Sequence, residues 1–86
     1  MNCTLEPDVI VTDVEDGVVL LDQRTGRYWQ LNRSGAATLR LLLDGNSAEE
    51  AAQALTRNRP EAAERARTDV RALLQSLVKA RLVVVS

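Results

Sequence analysis

The stretch TGRYWQLNRSGA, Thr25 to Ala36, decides how this chain is read. It holds both bulky aromatic side chains of the protein, side by side at Tyr28 and Trp29. Neighbours on a helix point about 100° apart, whereas neighbours on a strand point to opposite faces. A strand here sends one ring into a core and leaves the other outside. The preceding residues support a strand: Arg24, Thr25 and Gly26 read as a three-residue hairpin loop, with Gly26 in the left-handed position that closes a bulge. That loop puts Gln23 opposite Arg27, Leu21 opposite Trp29 and Val19 opposite Leu31. Val19, Leu21, Trp29 and Leu31 then share the apolar face, while Tyr28 emerges on the other face beside Leu20 and Asp22. A two-residue loop would instead pair Tyr28 with Leu21 and exchange the two aromatic roles.

Working outward, DVIVTDV (8–14) and GVVLLDQ (17–23) are β-branched runs separated by Asp16-Gly17, a dipeptide suited to a tight hairpin turn. With RYWQLN they make a three-stranded meander. The rest of the chain is helical in pattern. The first helix has Asn32 or Ser34 as N-cap, continues through AATLRLLL, and stops at Asp44-Gly45. The second opens with a capping box of Ser47 and Glu50 and aligns Ala48, Ala51, Ala52 and Leu55 on one face. The third starts near Pro60 and runs to about Ala80, with Ala63, Ala66, Val70, Leu73, Leu74, Leu77 and Val78 in helical register. The closing RLVVVS reads as a short final strand, being far shorter than the ~20 residues that span a bilayer. Strands followed by helices predict an α+β fold, a small sheet on a helical layer.

The totals limit what such a fold does. A chain of 86 residues is expected to form a single domain over 1–86 with one modest core. That core is built from Leu, Val and Ala, since the chain has no Phe. A net charge of -1 gives no positive field to draw nucleic acid or an anionic membrane. The lone Cys3 permits no internal disulfide, reads as a spectator thiol in a mobile terminus, and suits a reducing, cytoplasmic setting. The start MNCTLEPDVI lacks the basic and long apolar segments of a signal peptide.

Catalytic chemistry is poorly provided for. There is no histidine, so the commonest general base and the commonest metal ligand are missing. Asp13, Glu15 and Asp16 surround a turn, and Glu49 and Glu50 open a helix, where acids favour the positive end of the dipole. Gly26 and Gly35 are explained by a turn and a helix start rather than a phosphate loop. The expectation is a non-enzyme without metal or cofactor.

Binding is better provided for. A meander leaves its third strand with a free edge, able to accept an added strand. The third helix carries an apolar arc of about 140° on a helical wheel, wider than the ~100° stripe that a core-facing helix needs. If Val70, Leu73 and Leu77 flank the third strand while Leu74 and Val78 face the core, the surplus forms a groove between strand edge and helix. An extended peptide would pair with that edge and drop alternate side chains into the groove.

The ordered set GVVLLDQ, TGRYWQLN, Ser-Gly, a Leu-rich helix, Asp-Gly, SAEE and the later DVRALLQSLVKARLV resembles the PqqD-like family over roughly residues 9 to 84. The resemblance implies a RiPP recognition element: a winged-helix-like domain of three strands and three helices that binds the leader segment of a ribosomally made precursor peptide. A chain of this size is similar to the small leader-binding proteins of lasso-peptide biosynthesis. There the leader adds antiparallel to the third strand and lies against the third helix, with an aromatic and a proline in an apolar pocket. Carried onto this sequence, the implied site is Arg27, Tyr28, Trp29, Gln30 and Leu31 on the strand and Asp69, Val70, Leu73, Leu74 and Leu77 on the helix. The implied partners are the precursor leader and a separate leader peptidase, with a cyclase as a further candidate. Trp29 stands where Tyr or Phe is more usual, and KARLV replaces the usual Gly-Leu after the third helix.

Two rivals remain at this level. Helices two and three with Arg57, Arg59, Arg65 and Arg67 suggest a winged-helix DNA-binding regulator, although Glu61 and Glu64 stand where phosphates would approach. A dimer module using the same edge strand is the other.

Overall fold

The β-branched runs pair as a meander of β2 (Val9–Val14), β3 (Gly17–Asp22) and β4 (Arg27–Asn32), in the order β2-β3-β4. The computed structural model describes residues 2–86. After the meander come α1 (Arg33–Leu43), α2 (Ala48–Leu55), a single 3₁₀ turn over Pro60–Ala62, and α3 (Ala63–Lys79). A second, two-stranded antiparallel sheet joins the ends of the chain, β1 (Cys3–Leu5) pairing with β5 (Val83–Val85). The fold is α+β, as expected.

The β3–β4 register differs from the expected one by a single residue. Asp22 faces Arg27, Leu21 faces Tyr28, Leu20 faces Trp29 and Val18 faces Leu31, so the loop has four residues, 23–26. The cause lies in Asp22. Its Oδ1 accepts the backbone N–H of Arg24 at 3.0 Å, and its carbonyl accepts that of Gly26 at 2.8 Å, which ends the ladder one residue early. Gly26 is left-handed at φ 74° as the sequence suggested. Slipping one residue turns β3 over. Val18 and Leu20 enter the core, at 1% and 0% exposure, and Leu21 faces outward in place of the expected inward role; Val19 is only half-buried. The two rings keep their expected places: Trp29 packs inward, half-buried, and Tyr28 is 70% exposed. Tyr28 does pair with Leu21, but both side chains point away from the core.

The first hairpin also turns one residue earlier. Val14 faces Gly17, leaving Glu15-Asp16 as the turn rather than Asp16-Gly17. Gly17 is needed for another reason: a Cβ on it would lie 1.8 Å from the Leu31 carbonyl oxygen of β4. This glycine lets β3 and β4 approach.

The N-terminus, expected to be mobile, is a strand. Val83–Val85 requires a partner for its N–H and C=O groups, and Cys3–Leu5 supplies it, with Asn2 and Ser86 exchanging further backbone bonds at 3.1 and 2.9 Å. Cys3 is buried in consequence, and burial pushes its thiol pKa up.

Capping chemistry sets the starts of α1 and α2 and the ends of α1 and α3. Asn32 accepts the Gly35 N–H at 2.9 Å and is the N-cap of α1, deciding between Asn32 and Ser34. Ser47 and Glu50 exchange the two bonds of the capping box, which holds the Glu50 carboxyl below its usual range. Gly45, at φ 100°, ends α1, its N–H reaching the Leu42 carbonyl while that of Asn46 reaches Leu41. The end of α3 repeats this pattern with arginine in the glycine position. Arg81 takes φ 61°, its N–H bonds the Val78 carbonyl, and the Leu82 N–H bonds that of Leu77. KARLV therefore stops the helix just as Gly-Leu would.

The core joins Val18 and Leu20 of β3, Leu39 and Leu42 of α1, Ala51 and Ala52 of α2, Val70 and Leu77 of α3, and Leu82 and Val83 beyond it. The small residues of α2 allow it to pack closely on α3.

Candidate functional site

β4 is an edge strand: among the described residues it pairs with β3 alone, and β5, which packs on α3, is occupied by β1. Along an antiparallel edge, alternate residues turn their N–H and C=O groups outward. The helix beside this edge is α3, which packs chiefly on α2 and β5, whereas β4 packs on β3 and α1. A groove separates them. Its two ends are open clefts, one of ≈ 490 Å³ where β4 ends and one of ≈ 420 Å³ where β4 begins.

The first cleft is mainly apolar. Leu55 closes α2 on one side, Ala66, Val70 and Leu73 of α3 form the other, and Asn32 and Thr38 complete the wall. Asp69 is its one charged lining residue. The second cleft lies between Arg24, Arg27 and Trp29 on the sheet side and Lys79, Ala80 and Arg81 at the end of α3. β4 and α3 thus run in opposite directions along the groove.

Arg24 fixes this second end. Its Nε and Nη2 donate to the Asp22 carboxylate at 3.1 and 3.3 Å, Nη2 also donates to the Arg81 carbonyl at 3.0 Å, and Nη1 lies 3.6 Å from Glu6. The hairpin loop is thereby tied to the α3 terminus and to the N-terminal segment. Hydrogen bonding from Arg24 holds the Asp22 carboxyl below its usual range, against the opposing effect of burial, and raises the Arg24 guanidinium in turn.

The residues singled out from sequence are distributed unevenly around this groove. Arg27, Trp29 and Leu31 point to its side of the sheet, with the Arg27 guanidinium 5.8 Å from the Trp29 ring centroid, over its face. Tyr28 and Gln30 are exposed on the opposite face. Asp69 and Leu73 line the apolar cleft and Val70, 2% exposed, forms its floor. Leu77 is buried and Leu74 half-buried against the core, and neither lines either cleft. The expected split of the α3 face is therefore corrected: Val70 and Leu77 belong to the core, while Val78, expected inside, is 42% exposed. The helix turns its 66, 70, 73, 77 and 80 stripe inward, the 3–4 spacing of the face that packs on α2 and β5.

Sequence reasoning missed several lining residues. Asn32, Thr38 and Leu55 enter the apolar cleft because α1 and α2 meet α3 there. Lys79 and Arg81 reach the second cleft only through the antiparallel run of β4 and α3. The departure at KARLV was the one signal pointing to them. Among the described residues no helix is long and apolar enough to cross a membrane.

Residues 17–83 match the protein family described as coenzyme PQQ synthesis protein D, PqqD. A solved structure of a lasso peptide synthetase B1 complexed with the leader peptide is 36% identical, with a TM-score of 0.90 over 99% of this chain and 100% of that one. The structure of TbiB1 in complex with the TbiA(beta) leader peptide is 28% identical, with a TM-score of 0.81 over 96% and 94% of the two chains. No curated protein sequence matches.

Proposed function

We propose, from the premise that this chain belongs to the PqqD family, that it is a non-catalytic recognition protein for the leader segment of a ribosomally made precursor peptide. The leader adds as a strand to β4, antiparallel to it, beside α3, and is presented to a separate leader peptidase. The observation that carries this reading is the free edge of β4 facing an apolar cleft across a groove. Two similar proteins are leader-peptide complexes, which supports it.

The physical basis is strand addition. Main-chain bonds to β4 fix register without selecting sequence, and side chains pointing into the groove select it. Each apolar anchor buried contributes about 1.5–3 kcal/mol. Ordering a flexible segment costs about 2–5 kcal/mol, so two or three anchors are needed for useful affinity. In this reading Trp29, Leu31, Val70 and Leu73 bound the anchor sites, and Arg27 and Asp69 border the groove at its two ends. Tyr28 and Gln30, exposed on the far face of the same strand, remain free for the peptidase.

Titration with labelled candidate leaders, taken from short reading frames beside the gene, tests the proposal. Trp29 is the only tryptophan and lines the groove, so binding should alter its emission as the label's anisotropy rises. Binding to duplex DNA with steep salt dependence, in the absence of peptide binding, would overturn it.

A further inference from the structure

We infer that the leader bound at β4 carries an acidic side chain directly after its apolar anchors, and that Lys79 and Arg81, together with Arg27, hold its carboxylate. This rests on the leader-binding reading and adds to it a specificity-determining site. The cleft where β4 begins is lined by four cations and a single carboxylate, in a chain whose net charge is -1. Asp22 and Arg24 satisfy each other through two side-chain hydrogen bonds, and Arg24 leans further on Glu6. Arg27, Lys79 and Arg81 are different. All three are exposed, and none takes part in an ion pair among the described residues.

Packing fixes the Arg81 backbone and confines the Arg27 guanidinium. Arg81 is held left-handed by the bonds that close α3, and its carbonyl is gripped by Arg24. Arg27 stands over the Trp29 ring, which restricts where its guanidinium can go. All three cations line one end of the groove, while the other end offers a carboxylate, Asp69, among apolar residues. A groove charged at one end has a direction. A strand antiparallel to β4 enters at the apolar end and leaves between Arg27 and Lys79. At about 3.3 Å per residue, the six residues of β4 take up most of the paired stretch, so the next residue of the peptide meets the cations. A carboxylate there gains charge-assisted hydrogen bonds that an amide does not.

The test uses selection followed by a substitution cycle. Random peptides long enough to pair along β4 and continue past it are displayed and selected on the immobilised chain. Enriched peptides should show an apolar pair followed on the C-terminal side by Asp or Glu. One such peptide and its Glu→Gln or Asp→Asn counterpart are then titrated against the wild type and the Lys79→Gln/Arg81→Gln variant. At low salt the acidic form should bind the wild type about fivefold to tenfold more tightly than the amide, as expected for two or three partly exposed ion pairs, and that ratio should collapse towards one on the variant. Enriched peptides without acidic bias, or an acid-to-amide ratio unchanged by the double substitution, would overturn the inference and leave leader binding standing. Failure to enrich any peptide would overturn both.

Discussion

Leu73→Asp tests the groove most sharply among single substitutions. Leu73 is half-buried and lines the apolar cleft with Val70, Ala66 and Leu55. An anchor side chain entering this cleft gains about 1.5–3 kcal/mol from burial. A carboxylate on the wall removes much of that gain and must itself be desolvated next to Asp69 when the peptide arrives. Loss of even the lower bound weakens binding by at least about tenfold. The side chain is only partly enclosed in the free protein, so the variant should remain folded. Val70→Asp is the contrasting change: at 2% exposure, on the floor of the cleft, an unpaired charge is largely desolvated, and the chain should unfold. Anisotropy titration with a labelled leader, paired with thermal melts by circular dichroism, reads both effects. A folded Leu73→Asp protein with wild-type affinity would refute the cleft as anchor site, and a folded Val70→Asp protein would refute the assignment of the helix face.

Three further outcomes are expected. Arg81→Gly removes a left-handed penalty of about 1–2 kcal/mol and returns part of it as chain entropy. The net stabilisation of about 0.5–1 kcal/mol should raise the melting temperature by several degrees. A lower one would show that the Arg81 side chain supports the α3 end. Asp22 has its pKa lowered by Arg24, so its contribution is present above the ordinary carboxylate range and is lost as pH falls through the lowered value. Melts between about pH 5 and 2 should show a steeper loss for wild type than for Asp22→Asn; parallel curves would contradict the clamp. Gly17→Ala brings a methyl into the Leu31 carbonyl and should cost about 2 kcal/mol or more, visible as an early denaturant midpoint. Unchanged stability would mean that β3 and β4 separate freely.

What could be read from the sequence was local chemistry. The caps at Asn32, Ser47 with Glu50, and Gly45 each satisfy backbone groups within four residues, so residue type and spacing announce them. Strand alternation put Trp29 and Tyr28 on opposite faces; the inward place of Trp29 was inferred from a three-residue loop, and the structure keeps that place with a four-residue loop. The β3 register did not, because it depends on whether the Asp22 carboxylate folds back onto Arg24, a choice that also involves Arg81 and Glu6 from remote parts of the chain. The N-terminal strand was hidden for the same reason: CTL becomes a strand only because VVV lies beside it. Periodicity marked the α3 residues that are apolar, but not which of them the sheet covers. Val70 and Val78 therefore traded places between groove, core and surface. The cationic end of the groove was least legible of all, since Arg27 and Lys79 meet only through tertiary packing.

Amide hydrogen exchange on the protein with and without a bound leader tests strand addition most directly. Alternate N–H groups of residues 27–32, those turned away from β3, should become strongly protected on binding, while β2 and the far helices change little. Protection confined to β5, to the α2–α3 turn, or absent from β4 in a complex that has demonstrably formed would contradict the account.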